Sequence, residues 1–327
     1  MEIVLWIIVG LLAAPLLFYF FPTFLVSAVL YRRTLVRESA ESWGRACSEP
    51  EDAETMDMFQ RGLAWRDAHI SFKKDVHIVS EKLNLWGEYF DFGYDKAVII
   101  IPGRMESCFY SLYYAAPYRD AGYNVLTIDS RAHGLSDGKR SGIGLREYRD
   151  VIEWGKFLTE THGVKEIVLH GMCIGAATAL YALNAADVPE NFTAIIADGM
   201  YSTFAESYRR HIVERGHPAF PFLWEVMLIE RILVGVDAMH NGPMYCIDQL
   251  KKPILFLYTK EDKYASPEIA EMLYGKCVAP KRLVWFEKGK HSRIRINAEK
   301  AYDDAITAFL AEKAVLQPET AAVNPER

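Results

Sequence analysis

The stretch His170-Gly171-Met172-Cys173-Ile174-Gly175-Ala176-Ala177 constrains the fold more than any other. It follows the apolar run Glu166-Ile167-Val168-Leu169 and opens a small-residue segment, Ala176-Ala177-Thr178-Ala179-Leu180. That succession reads as strand, sharp turn, helix, with G-x-C-x-G at the turn. The spacing of the glycines has a steric reason. A residue held in a strained backbone conformation between strand and helix leaves no room for side chains two positions away on either side. Such a turn lifts Cys173 above the sheet edge and aims the next amide, that of Ile174, at a developing oxyanion.

The remaining apolar runs fit a sheet around this turn. Residues 97–101 are a continuous apolar run, as expected of a strand covered on both faces of a parallel sheet, and 124–129 read as another buried strand. Residues 192–198, 253–258 and 282–286 continue the series, with helical patterns over 107–121, 145–161, 268–274 and 299–316. Residues 75–79 and 83–92 read as an antiparallel hairpin at the sheet edge. Alternating strands and helices predict an α/β fold with a mostly parallel, doubly wound sheet. Residues 201–241 break the rhythm. They carry Phe220, Phe222, Trp224, Met227 and Leu228 at helical spacing without a strand, and are expected to form an inserted helical lid. That stripe either packs internally or meets an apolar substrate.

Residues 3–30 contain no charged side chain. Because about 20 apolar residues cross a hydrocarbon core, this run is expected to span a membrane as a tilted, proline-kinked helix. Arg32, Arg33 and Arg37 follow it and Glu2 precedes it, so the positive-inside rule puts the catalytic part in the cytoplasm. The expected organisation is a single-pass anchor over 1–37, a juxtamembrane linker over 38–57, a catalytic domain over 58–316 with its lid at 201–241, and a disordered tail over 317–327. A net charge of −6 without a long basic block argues against nucleic acid. Five widely spaced cysteines with no CxxC argue against a disulfide framework and a metal site. No cofactor motif is present.

A thiol nucleophile needs a base and a group to orient that base. Asp262 lies just past the strand at 253–258, and His291 just past the strand at 282–286. Both are at carboxyl ends, where sheets of this class carry functional groups. Cys173, Asp262 and His291 are therefore the candidate nucleophile, orienting acid and base. Each also has a plain explanation: a buried small hydrophobe, a turn former and a solvated histidine. Glu261 competes with Asp262 as the acid. His170 and His133 read as structural. The amide of Arg104, beyond Pro102-Gly103, is the candidate second oxyanion donor, and its side chain is either solvated or binds a substrate carboxylate.

With these residues in place, 58–316 resembles the α/β-hydrolases, most of all the membrane-anchored bacterial serine-aminopeptidase and esterase-like group. The resemblance rests on Pro102-Gly103, on Arg131-Ala132-His133-Gly134-Leu135-Ser136, on the elbow from Gly171 to Thr178, and on the acid loop from Asp262 through Ser266-Pro267-Glu268. Two departures stand out: Pro102 replaces the group's usual histidine, and Cys173 replaces its serine. Cysteine elbows also occur in dienelactone hydrolases, polyhydroxyalkanoate synthases and bile-acid acyltransferases. The resemblance therefore implies acyl chemistry on a small-molecule substrate, by hydrolysis, by transfer to another acceptor, or lost altogether in a binding protein. Thiolate attack favours esters and thioesters over peptides, because an amine leaves a tetrahedral intermediate less readily than a thiolate does.

Overall fold

The computed structural model describes residues 2–316, without the side chains of residues 3–5 and 7–19. A long helix, α1 (Glu2–Leu35), and α2 (Ala53–Ala68) precede β1 (Lys73–Ser80), β2 (Leu83–Phe90) and β3 (Lys96–Ile101). Two short helices, α3 (Cys108–Ser111) and α4 (Ala116–Asp120), lead to β4 (Asn124–Ile128) and α5 (Glu147–His162). The elbow joins β5 (Glu166–Met172) to α6 (Ile174–Leu183), and β6 (Phe192–Asp198) follows. Next come α7 (Phe204–Glu214) and α8 (Phe222–Val234), then β7 (Ile254–Thr259), α9 (Pro267–Lys276) and β8 (Lys281–Phe286). The chain closes with α10 (Ile294–Asn297) and α11 (Glu299–Glu312).

The eight strands form one sheet in the order β1-β2-β4-β3-β5-β6-β7-β8. β1 and β2 are antiparallel, β2 meets β4 antiparallel, and all pairs from β4 to β8 are parallel. Period-two alternation sends each central strand's side chains to two cores. Ala97, Ile99 and Ile101 pack with α5, α6 and α9, while Val98 and Ile100 pack with α2, the α3–α4 segment and α11. The helix expected over 107–121 is broken into short pieces, with Pro117 in the first turn of α4.

A third core covers the carboxyl end of the sheet. It joins Tyr31 and Leu35 of α1 to Phe204, Tyr208 and Ile212 of α7 and to Leu223, Val226 and Met227 of α8, above Ile174 and Ala177. α1 lies along α8: Phe20 meets Phe220 edge-on at 6.2 Å, and the buried Glu225 carboxylate accepts from Ser27 Oγ (2.6 Å) and Thr23 Oγ1 (2.8 Å). Those two hydroxyls meet the need of a buried carboxylate for donors. The stretch after α1 is also docked. Arg37 donates to the carbonyls of Ser39, Ala40, Ser42, Gly134 and Ser136, and its amide bonds Lys139 O at 2.8 Å.

Among the described residues no helix is long and apolar enough to cross a membrane. The expected span over 3–30 falls mostly on side chains outside the described residues, and the tail over 317–327 also lies outside them.

Candidate active site

Cys173 occupies the turn between β5 and α6 with φ 53° and ψ −111°, a conformation that non-glycine residues rarely adopt. Its neighbours make that turn possible. A Cβ on Gly171 would lie 2.2 Å from the Gly175 carbonyl carbon, and one on Gly175 would lie 2.3 Å from the Ile101 carbonyl oxygen. The elbow is thus wedged against its own helix and the end of β3. The Cys173 amide donates to Asp198 O at 2.8 Å, which ties the turn to the end of β6.

Asp262 and His291 reach the same place from the ends of β7 and β8. Asp262 Oδ1 accepts from the amides of Tyr264 (2.7 Å) and Ala265 (2.8 Å), leaving Oδ2 for His291 Nδ1 at 2.6 Å. Burial alone would raise the Asp262 carboxyl pKa, but the imidazole and the two amides outweigh it and hold it below the usual carboxylate range. Burial likewise opposes the imidazolium of His291. The Asp262 carboxylate, bonded to the ring, and the nearby Cys173 sulfur outweigh it and raise the histidine well above its ordinary value. Gly199, at φ 59°, leaves room for the ring: a Cβ there would sit 3.3 Å from His291 Cε1.

These shifts carry a stability signature. The raised histidine contributes most where the unfolded chain would also be protonated, below about pH 6.5, and the contribution fades as pH climbs through the folded-state value. Asp262 works the other way, its contribution being lost only on acidification below about pH 4. The thermal midpoint of wild type minus that of His291→Gln should therefore be largest in mildly acidic buffer and shrink steadily towards alkaline pH. A difference that is flat or grows with pH would contradict the assignment.

The loop after β3 faces the elbow. Gly103, Arg104, Cys173, Ile174 and His291 share one cavity of about 370 Å³. The amide of Arg104 has no acceptor among the described residues, and Ile174 opens α6, where the first amides lack intrahelical partners. His133 braces this loop, its Nε2 accepting from the Met105 amide (3.2 Å) and its Nδ1 donating to Arg131 O (2.9 Å). Burial pushes the His133 imidazole down to about 4, so it stays neutral and can accept. Trp43 stacks on it at 4.8 Å. Glu261 accepts from the Gly289 amide at 2.9 Å, so it steadies the His291 loop while Asp262 takes the ring.

Other parts of the site were not foreseen from the residues. Behind these three side chains, Tyr302 Oη donates to Asp198 Oδ2 (2.8 Å) and meets His170 Nε2 (3.1 Å). Burial pushes Asp198 up to about 7 and His170 down to about 3. An aspartate closing the apolar run 192–198 was the available signal. Thr34 of α1 also reaches the cavity wall: its carbonyl accepts from Arg104 Nη1 (3.2 Å), and its hydroxyl bonds Tyr208 Oη (2.9 Å). The aromatic side chains lining the cavity are Tyr201, Phe204, Tyr208 and Tyr264, none of them from α8. Phe220, Trp224 and Leu228 face outward instead.

Residues 96–215 match the family model described as the alpha/beta hydrolase fold. An uncharacterized protein of Bacillus subtilis, YqkD, is 33% identical over 221 residues, covering 66% of this chain and 71% of its own length. The chain belongs to the α/β-hydrolase superfamily. An uncharacterized membrane protein of Saccharomyces cerevisiae, YNL320W, is 26% identical over 235 residues, 71% of this α/β-hydrolase and 76% of the yeast protein. Among solved structures, the Pyrococcus furiosus esterase Pf2001 superposes with a TM-score of 0.63 at 24% identity, over 75% of this chain and 92% of the esterase. The α/β-hydrolase GrgF from a Penicillium species gives 0.60 at 17% identity, over 74% and 99%. At these identities the two superpositions speak for the fold.

Proposed function

We propose that this α/β-hydrolase cleaves an ester or thioester of a small-molecule acyl substrate through Cys173, with His291 as base and Asp262 as its orienting acid. Cys173 and His291 line one cavity, and His291 is held from behind on Asp262 at 2.6 Å; that arrangement carries this reading. His291, whose imidazolium the Asp262 carboxylate stabilises, takes the thiol proton first, and the resulting thiolate attacks the acyl carbon. The amides of Ile174 and Arg104 receive the oxyanion. The leaving alcohol or thiol departs with that proton, and water, deprotonated by His291, releases the acid from the acyl-thioenzyme. No metal or organic cofactor takes part in this scheme.

The reading includes a membrane anchor formed by α1, with the catalytic part on the cytoplasmic side. The uncharged run 3–30 supports it, followed by Arg32 and Arg33. So does the outer surface there, where Phe21, Phe24, Leu25 and Val29 of α1 and Trp224, Leu228 and Ile232 of α8 are exposed. The yeast relative's description as a membrane protein points the same way.

Because Thr34 and Leu35 belong to the site's surroundings, the assay requires the full chain in detergent or vesicles. A matched nitrophenyl ester, thioester and anilide of one short acyl group should give turnover of the first two and little of the third. Cleavage of the anilide at a rate comparable to the ester, or turnover of none, would sink the proposal.

A further inference from the structure

We propose that Arg104 is the receptor for an anionic group of the substrate, a carboxylate or a phosphate, bound beside the acyl carbon that Cys173 attacks. The inference rests on the reading of the site given above and adds the substrate's charge to it.

Arg104 stands half-buried in the wall of the cavity that holds Cys173 and His291. Its one hydrogen bond runs from Nη1 to Thr34 O, and no carboxylate lies within ion-pair distance of it among the described residues. A guanidinium carries five N–H donors, so most of the Arg104 donors are left without a partner among the described residues. The other sheltered arginines are treated differently. Arg45 holds Asp129 at 2.9 Å, Arg131 holds Asp150 at 2.6 Å and Arg295 holds Asp303 at 2.6 Å. Arg37, without an acid, engages five carbonyls.

The acidic residue nearest in sequence does not serve Arg104. Glu106 Oε2 accepts from the Gly103 amide at 2.9 Å, and its leading charged neighbour is Arg293. The charged and polar groups that bear most on Arg104 are Cys173, Tyr208, Arg215 and Tyr264, none a carboxylate. Lys290 and Arg293 add positive charge to the same cavity wall, which also carries Glu49, Asp52, Glu54 and Glu106; none of these acids pairs with Arg104, and Glu49 lies 3.7 Å from Arg293. A guanidinium withdrawn from water and left without an anion binds one readily, and its flat fork fits carboxylate and phosphate oxygens alike.

Alkylation of Cys173 tests this without requiring turnover. The sulfur displaces iodide from iodoacetate, which is anionic, or from iodoacetamide, which is neutral and nearly isosteric. Rates are read on the Cys173 peptide by mass spectrometry in the full-length protein. The iodoacetate-to-iodoacetamide ratio at Cys173 should exceed that of free glutathione by roughly tenfold, as expected for charge steering in a sheltered site. It should fall to the glutathione value in Arg104→Gln and partly recover in Arg104→Lys. Inorganic phosphate should slow iodoacetate more than iodoacetamide in the wild type, which decides the matter if Arg104→Gln fails to fold. A wild-type ratio no higher than that of glutathione, or one unchanged in a folded Arg104→Gln, would overturn the proposal. Nitrophenyl esters bearing a carboxylate, a phosphate or neither then identify the anion by kcat/KM, and equal values for all three would also overturn it. Should the protein hydrolyse nothing, the alkylation ratio still decides for or against Arg104, so the two readings fail separately.

Discussion

Cys173→Ala and His291→Ala should each lower kcat for a nitrophenyl ester by roughly 10³-fold or more, and the double variant should be little worse than either alone. Side chains that act as one unit lose nearly everything when any member is removed, so their effects do not add. The residual rate would come from the Ile174 and Arg104 amides and from binding. Cys173→Ala removes no side chain that holds the fold, whereas His291→Ala also gives up the pairing with Asp262. Cys173 lies half-buried at the cavity, and His291 touches Asp262 and Tyr264 on a loop. The thermal midpoint of Cys173→Ala should therefore stay within a few degrees of wild type while activity disappears. Steady-state kinetics on the full chain, with circular dichroism as the folding check, provides the comparison. Additive losses, or a Cys173→Ala variant that retains substantial turnover, would mean that the three residues do not work together.

The elbow should be equally unforgiving of added atoms, but through stability. Gly175→Ala places a methyl 2.3 Å from the Ile101 carbonyl oxygen and 2.8 Å from that of Pro102, both backbone atoms at the end of a buried central strand. No rotamer relieves that contact, so β3 or α6 must move. The cost should be about 3 kcal/mol or more, the upper range of overpacking effects. Gly171→Ala, 2.2 Å from Gly175 backbone atoms, should behave alike. Gly275→Ala is the control, because nothing lies within 4 Å of its added methyl in α9, and there helix propensity should give a small gain. Denaturant unfolding of the three variants measures the contrast. Equal stabilities would show that the strand–helix approach is looser than described.

The same steric argument explains why the fold was legible in the chain. A G-x-C-x-G turn between a buried apolar run and a small-residue helix has few structural solutions, and the runs 97–101, 124–129, 192–198 and 253–258 fit a sheet covered on both faces. The positions of Asp262 and His291 followed from strand ends, since a parallel sheet presents those ends together. What could not be read was whatever depends on packing between distant segments. Trp43 and Arg45, in a stretch expected to be a linker, stack on His133 and pair with Asp129. Thr34, past the uncharged run and the two arginines that follow it, meets Arg104 and Tyr208. Nothing in local periodicity announces a contact between residues 34 and 104. The stripe on α8 was ambiguous for a related reason: helical spacing defines a face, and only its neighbours decide whether that face meets a core, a cavity or solvent. Here α1 and the third core take one side, and the other side, with Trp224, Leu228 and Ile232, is left exposed.

The central claim is that Cys173 forms a covalent acyl intermediate. The most direct measurement is rapid acid quench of the full-length protein during turnover of nitrophenyl acetate, followed by peptide mass spectrometry. The account predicts one acetyl group on the Cys173 peptide, discharged by hydroxylamine and absent in Cys173→Ala and His291→Ala. An acetyl group on another residue, or sustained turnover with Cys173 never modified even when deacylation is slowed, would contradict it.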